Sequence, residues 1–401
     1  MKKILLLSIL LTTYACSNDD ISNQEIDINT ETTTDTNPVT SSFDFSSYFN
    51  IDFDNLSNYV TIPPAYITKD NTNGNEITNE GATLGRILFY DKNLSSNNTI
   101  SCSSCHIQST AFSDNALVSQ GVNGTTARHS MRLINSRFAD ETNFFWDERA
   151  SSLEEQTTMP IQDHAEMGFS GTNGDLNFDG LLNKLNETDY YPELFNWVYG
   201  ESEITENKIQ LALAQFIRSI QSFDSRYDTG RVSSPNDRAP FTNFSQNENN
   251  GKQLFLDRPN FDAGGNRTSG GVGCAACHRP PEFDIDPQSL NNGFIHRIAT
   301  VITDTDFTVT RAPSLRDIFN PEGELNGPLM HFAVDLDQVI DHYNDIPNTS
   351  DNPQLDRRLK PGGNLQNLQM TAQEINDLKE FLLTLSGNDV YTNEKWANPF
   401  L

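Results

Sequence analysis

The chain has 401 residues, 36% of them hydrophobic, and a formal net charge of −28, a length that suits two domains of ordinary size plus a tail. A surface that acidic repels phosphate backbones, so nucleic acid is excluded as a partner. It steers basic proteins instead.

In chain order, Lys2 and Lys3, the short apolar run over residues 4–11 and the pair Ala15-Cys16 have the form of an export signal. The run is too short to cross a bilayer. A cysteine at the junction points to a bacterial lipoprotein acylated on Cys16, with simple cleavage nearby as the alternative. Residues 1–15 are therefore read as a signal peptide and the chain as exported, to the periplasm or as an outer-membrane lipoprotein, meeting the membrane only through its lipid. Residues 16–47 are rich in Ser, Thr, Asn and Asp and read as a lipid-anchored, disordered tether.

Folded structure is expected from about residue 48, with a first helix over 83–90. Ser152 and Glu155 form a capping-box pattern. Ile209, Leu213, Phe216, Ile217 and Ile220 recur at helical spacing. The stretch 225–250, with Pro235, Pro240 and several Asn, reads as a connection between domains. A second capping box at Thr371 and Glu374 opens a helix whose buried stripe is Ile375, Leu378, Phe381, Leu382 and Leu385, with Gly387 as its stop. Alternation that suits a strand is confined to a short piece around 298–309. The fold class is mainly α.

The five cysteines carry the chemistry: Cys16 at the junction, and four in Cys102-Ser103-Ser104-Cys105-His106 and Cys274-Ala275-Ala276-Cys277-His278. Both runs are C-x-x-C-H. Two thiols three apart on a turn bond the two vinyl groups along one haem edge, and the histidine that follows becomes the proximal iron ligand. A four-cysteine zinc site or a pair of redox dithiols is the competing reading, but neither asks for histidine directly after each pair. Two covalently bound c-type haems are therefore expected, with His106 and His278 on the irons. By default His129, His164, His296, His331 and His342 are surface or core histidines.

Further runs lie around these motifs: Leu84-Gly85-Arg86-Ile87-Leu88-Phe89-Tyr90-Asp91, Phe112-Ser113-Asp114, Phe145-Trp146-Asp147-Glu148-Arg149-Ala150, Gln156, Pro160, Glu166-Met167 and Ala312-Pro313-Ser314-Leu315-Arg316. In this order, over most of residues 80–390, the chain resembles the bacterial di-haem cytochrome c peroxidase and MauG family. The resemblance implies two cytochrome c-like haem domains packed around an inter-haem interface, a peroxidatic one over 48–230 and an electron-transfer one over 231–401. It implies hydrogen peroxide reduced at the haem of His106 with electrons passed through the other. Glu166 corresponds to the distal carboxylate that moves a proton, Gln156 to the distal amide and Trp146 to the indole between the haems.

There are three departures. Val122 follows Gly121 where the standard peroxidases have a ligating histidine, which implies an open first haem. Arg128 and His129 stand where the family has a calcium-associated asparagine, which leaves calcium an open question. Tyr343 stands where peroxidases place the methionine ligand of the second haem, as in MauG-type enzymes, with Met330 and His342 as rival ligands. The leading function is a di-haem peroxidase fed by a small electron-donor cytochrome. The alternatives are a MauG-like enzyme that uses peroxide to oxidise Trp or Tyr side chains of a partner protein, and a non-catalytic electron-transfer cytochrome.

Overall fold

A computed structural model describes residues 43–72, 74–140, 142–294, 307–330, 335–346 and 352–401. The signal, Cys16, most of the tether and nearly all of the 298–309 piece lie outside these residues, as do His296 and His331. The described chain is mostly helical, and no helix in it is long and apolar enough to cross a membrane.

Two helix pairs organise it. Helix α1 (Asn79–Tyr90) leads to the turn α2 (Cys102–Cys105). Helices α3 (Leu153–Thr158), α4 (Phe178–Asn186) and α5 (Tyr191–Tyr199) follow, and α6 (Glu206–Ser219) returns to pack along α1. Thr78 and Thr205 cap α1 and α6 by accepting from Gly81 N and Lys208 N. Their apolar faces, with Leu84, Leu88, Leu213 and Phe216, form the centre of a first core that also takes in Phe45 and Tyr191. Helices α7 (Arg226–Val232) and α8 (Gln246–Leu256) come next. Two small hairpins follow, β1 (Pro259–Phe261) with β2 (Arg267–Gly270) and β3 (His278–Arg279) with β4 (Asp284–Ile285). Helices α9 (Leu336–Asn344), α10 (Ala372–Leu383) and α11 (Asp389–Thr392) close the chain. Helix α10 packs along α8 and gives a second core containing Phe255, Phe283, Leu378 and Phe381.

The same device sets both pairs. A Cβ on Gly85 would collide with the carbonyl of Ala212, and one on Gly251 with the carbonyl of Asp377. Glycine lets each helix that precedes a C-x-x-C-H motif approach its partner backbone to backbone. Between the cores Arg316, fully buried, holds both carboxylate oxygens of Asp228 at 2.9 Å. Tyr66 also donates to Asp228, at 2.6 Å. Residues 389–400 then run back over the first core. The Lys395, Trp396 and Ala397 carbonyls accept from Tyr59, Tyr90 and Arg86 at 2.8, 2.7 and 2.6 Å, and Phe49 pairs with Phe400.

Several expectations change. Structure begins before residue 48, because Phe45 is buried in the first core. The stretch 225–250 is not a bare connection: it holds α7 and the start of α8, opened by capping boxes at Ser225/Asp228 and Ser245/Glu248. Ser152 does cap α3, but Glu155 turns its carboxylate to Ser151 N and Oγ instead of completing the box. Helix α10 ends at Leu383, short of Gly387, whose N–H donates to Asp317 at 2.8 Å. The box at Thr371 and Glu374 forms as expected.

Replacing Gly251 by valine should push α8 off α10. The expected loss is about 2–3 kcal/mol of stability, typical of overpacking, measured by denaturant unfolding; an unchanged midpoint would contradict the close approach.

Candidate functional site

The first motif is a single turn. Ser104 Oγ accepts from Ser101 N at 3.0 Å, and His106 N closes on the Cys102 carbonyl at 3.0 Å. Positions three apart share a helix face, so Cys102 and Cys105 point the same way. Ala111 and Phe112 both take left-handed backbone angles (φ 56° and 57°) and bend the chain back under His106. The Phe112 carbonyl then meets His106 Nδ1 at 3.1 Å. A carbonyl only accepts, so the ring proton sits on Nδ1 and Nε2 keeps its lone pair. Burial lowers the imidazole pKa, which keeps the ring in the neutral form that binds metals.

The second motif repeats the arrangement. Cys274–Ala276 form a 3-10 turn, and His278 Nδ1 lies 3.0 Å from the Pro313 carbonyl. Burial takes the His278 pKa down to about 4. Arg358 grips this loop by donating to the Ala276 carbonyl, to Asp286 at 2.8 Å and to Asp356 at 2.7 Å. None of these four cysteines is taken up in a disulfide. Cysteines in paired turns, each beside an oriented neutral imidazole, fit c-type haem at both places.

A cavity of about 170 Å³ opens beside His106. Trp146, Gln156 and Glu166, at ten-residue intervals in the sequence, all line it, together with Arg149 and the distant Pro313. The backbone at Glu166 is fixed from both sides. Asp163 Oδ1 accepts from Ala165 N at 2.8 Å and Glu166 N at 3.0 Å, and Val122 N donates to the Glu166 carbonyl at 2.9 Å. Val122 therefore sits against the acid, with no atom able to ligate. Burial, reinforced by the Asp163 charge, pushes the Glu166 carboxyl up to about 7, while the Arg149 guanidinium opposes the rise.

Trp146 is the link between the two motifs. Its Nε1 donates to the His129 carbonyl at 2.7 Å, and its own carbonyl accepts from Thr310 N at 2.9 Å and Arg311 N at 3.1 Å. Two residues beyond Arg311 is Pro313, which holds His278.

His129 is turned away from ligation: its Nε2 meets Ser113 Oγ at 3.0 Å and its Nδ1 the Ala116 carbonyl at 2.8 Å. At the calcium-associated position Arg128 ion-pairs with Asp147 at 2.9 Å, and among the described residues no three His, Cys, Asp or Glu side chains gather into a metal site. Near the second motif, α9 brings Tyr343 to where the thiols of Cys277 and Cys274 bear on its ionisation. Asn292 Nδ2 donates to its hydroxyl at 3.0 Å. His342 instead lies 2.9 Å, by its Nε2, from the Asn292 carbonyl. Met330 follows a loop whose Gly327 is pressed against the Asp114 carbonyl, close to the first motif, while its neighbour Leu329 packs on the second core.

Sequence reasoning gave no role to Arg149, Arg358, Asn292 or the Pro313 carbonyl, although Arg149 and Pro313 both lie in the runs that carry the resemblance.

A family model described as di-haem cytochrome c peroxidase matches residues 79–233. The MauG protein of Methylophilus methylotrophus is 28% identical over 322 residues, covering 78% of this chain and 84% of that protein. Cytochrome c551 peroxidase of Nitrosomonas europaea is 26% identical over 325 residues, covering 77% and 80%. Among solved structures, a MauG-like protein associated with microbial copper homeostasis superposes with a TM-score of 0.64 at 26% identity, covering 84% of this chain and 98% of the other. The di-haem peroxidase BthA of Burkholderia thailandensis, at 19% identity and a TM-score of 0.59 over 82% and 92% of the two chains, shares the fold.

Alanine in place of both Cys274 and Cys277 should halve the covalently bound haem. Pyridine haemochrome absorbance per chain reads this; an undiminished value would overturn the assignment of the second motif.

Proposed function

We propose, on the premise that the chain belongs to the di-haem cytochrome c peroxidase and MauG family, that its peroxide chemistry runs in the cavity beside His106, with Glu166 as the proton-transfer group. The observation that carries this reading is one carboxyl, pushed up to about 7, lining the same cavity as the imidazole of a C-x-x-C-H motif. The chain is a peroxide-dependent oxidoreductase with two covalent c-type haems. Bound through Cys102, Cys105 and His106 and through Cys274, Cys277 and His278, the haems supply the electron-accepting and electron-relaying iron chemistry.

The residues do the rest. The Glu166 carboxylate takes the proton of the incoming peroxide and returns it to the departing oxygen, which leaves as water. A group with a pKa near the working pH serves both directions. The Gln156 amide is a donor that would orient the peroxide, and the Arg149 cation favours the anion that forms when peroxide gives up its proton. Trp146, bonded to His129 on one side and to 310–311 on the other, is suited to pass electrons between two cytochrome c-like halves. The two cores around the two motifs support that two-domain arrangement. A plain electron carrier would have no use for an acid and an amide, both half-buried, at the same cavity.

A second reading has its own support. Tyr343 is near enough to Cys277 and Cys274 for them to bear on its ionisation, and Val122 follows Gly121 where the standard peroxidases have a ligating histidine. A phenolate ligand lowers the potential of the iron it binds. That suits a MauG-like use of peroxide, in which a partner protein's Trp or Tyr side chains give up the electrons, more than supply from an ordinary donor cytochrome. Export and acylation at Cys16 belong to the same proposal, supported by the form of residues 1–16.

Two outcomes test the site. The rate of reaction with peroxide should rise as pH increases through about 7, where Glu166 ionises, and then level off. Glu166→Gln should remove the rise and slow the reaction about 10²–10⁴-fold, measured by stopped-flow. Folding carries the opposite sign: because burial raises this carboxyl, its contribution to stability is whole below pH 4.5 and lost as pH climbs through about 7. At the second haem, Tyr343→Met should raise the reduction potential and Met330→Leu should leave it unchanged, read by spectroelectrochemical titration. A potential that moves only with Met330 would sink the tyrosine ligand.

A further inference from the structure

The first core contains a line of tyrosines that the cavity chemistry does not use. Tyr191, at the start of α5, is fully buried, and its phenol is close enough to Cys102 for the thiol to bear on its ionisation. Its ring centroid is 4.8 Å from that of Tyr190, and Tyr190 is 5.1 Å from Tyr48. Tyr48 is half-buried, with its hydroxyl at the surface 3.4 Å from Asp189 Oδ2. Tyr190 and Tyr191 both donate to one atom, Asp91 Oδ2, at 2.6 and 2.7 Å. Asp91 is buried and caps the end of α1, between that helix and the first haem motif.

The arrangement has the two parts that phenol oxidation needs. Rings in near contact pass an electron readily, and a phenol gives one up far more easily when a carboxylate already holds its hydrogen bond and takes the proton. Both inner phenols are kept firmly protonated by burial and by the Asp91 charge, so each brings a proton to give. The bonding also resets itself. When Tyr190 refills Tyr191, Tyr191 recovers its proton from the oxygen to which Tyr190 delivers its own.

We propose that Tyr191, Tyr190 and Tyr48 form a second electron-entry route to the first haem, through which small neutral phenols are oxidised at the surface beside Tyr48. This rests on the peroxide reading above. Peroxide is the oxidant: for each electron drawn inward at the Cys102 edge, Tyr191 loses an electron and lends its proton to Asp91. Tyr190 and then Tyr48 refill the gap, and Tyr48 gives its proton to Asp189, which releases it to solvent as peroxide takes one up at the cavity. A phenol in solution then gives Tyr48 one hydrogen atom and leaves as a phenoxyl radical, which couples with another. Two such electrons and two protons reduce one peroxide to two waters. Asp189 beside the Tyr48 hydroxyl, and Asp44 at the start of the turn that Tyr48 ends, disfavour anionic donors, so a neutral phenol is the class that fits.

The test uses the di-haem holoprotein, hydrogen peroxide and guaiacol. Freeze-quench EPR after one equivalent of peroxide should show a tyrosyl radical. Guaiacol oxidation should be lost in Tyr48→Phe and in Tyr190→Phe, while peroxide consumption with a reduced cytochrome as donor is unchanged. Tyr48→Phe is a surface change, so it keeps the result interpretable if Tyr190→Phe folds poorly. Guaiacol turnover that survives in Tyr48→Phe overturns the route. So does peroxide consumption with neither radical nor guaiacol oxidation. A wild-type protein that does not consume peroxide at all overturns the peroxide reading and the route with it.

Discussion

Each proposed iron-binding histidine gives its Nδ1 proton to a backbone carbonyl, Phe112 for His106 and Pro313 for His278. That bond fixes the tautomer, aims the lone pair of Nε2 and prevents the ring from turning. Much of the architecture serves to put those two carbonyls in place. On one side a pair of left-handed residues bends the loop after the motif. On the other, Pro313 belongs to a segment anchored at Thr310 and Arg311 to the Trp146 backbone. The second histidine is thus oriented by chain that is itself held by the first half. Geometry at one centre is coupled to geometry at the other through a tryptophan main chain, whatever its indole contributes.

Charge is distributed with similar purpose. The protein carries −28 overall, yet Arg128, Arg132, Arg149 and Arg311 all line the cavity beside His106. Burial alone brings the Arg132 pKa down to about 10, still charged at neutral pH. A neutral molecule enters such a place without penalty, and an anion formed inside it is stabilised. The Glu166 carboxyl shares this lining, and the Arg149 cation opposes the rise that burial gives it, to about 7.

What could be read from the sequence follows physical range. The haem motifs, Glu166, Gln156 and Trp146 were legible because each is marked by its near neighbours. Helices α6 and α10 were legible from their apolar stripes and, for α10, from the box at Thr371. Helices α7 and α8 were not, although Ser225/Asp228 and Ser245/Glu248 stood in plain view, because the Pro- and Asn-rich composition around them outweighed the caps. Phe45 was lost in a tether of similar polarity. Asn292, Arg358 and the Pro313 carbonyl act on groups 35 or more positions away, and no local pattern encodes such a partner. Gly387 has the place of a helix stop in the sequence, but its N–H serves the distant Asp317.

The return of residues 389–400 over the first core has a consequence for how the protein is made. Tyr59, Arg86 and Tyr90 find their partners more than 300 positions downstream. Contacts that remote form late and slow the search for the native state. As the chain emerges, the half nearer the N-terminus comes first but lacks the segment that seals it, leaving apolar surface open until the C-terminal residues arrive. A haem meant for the first C-x-x-C-H turn meets a loosely closed half during that interval, which favours entry of a bulky porphyrin, and the arriving tail locks the door behind it.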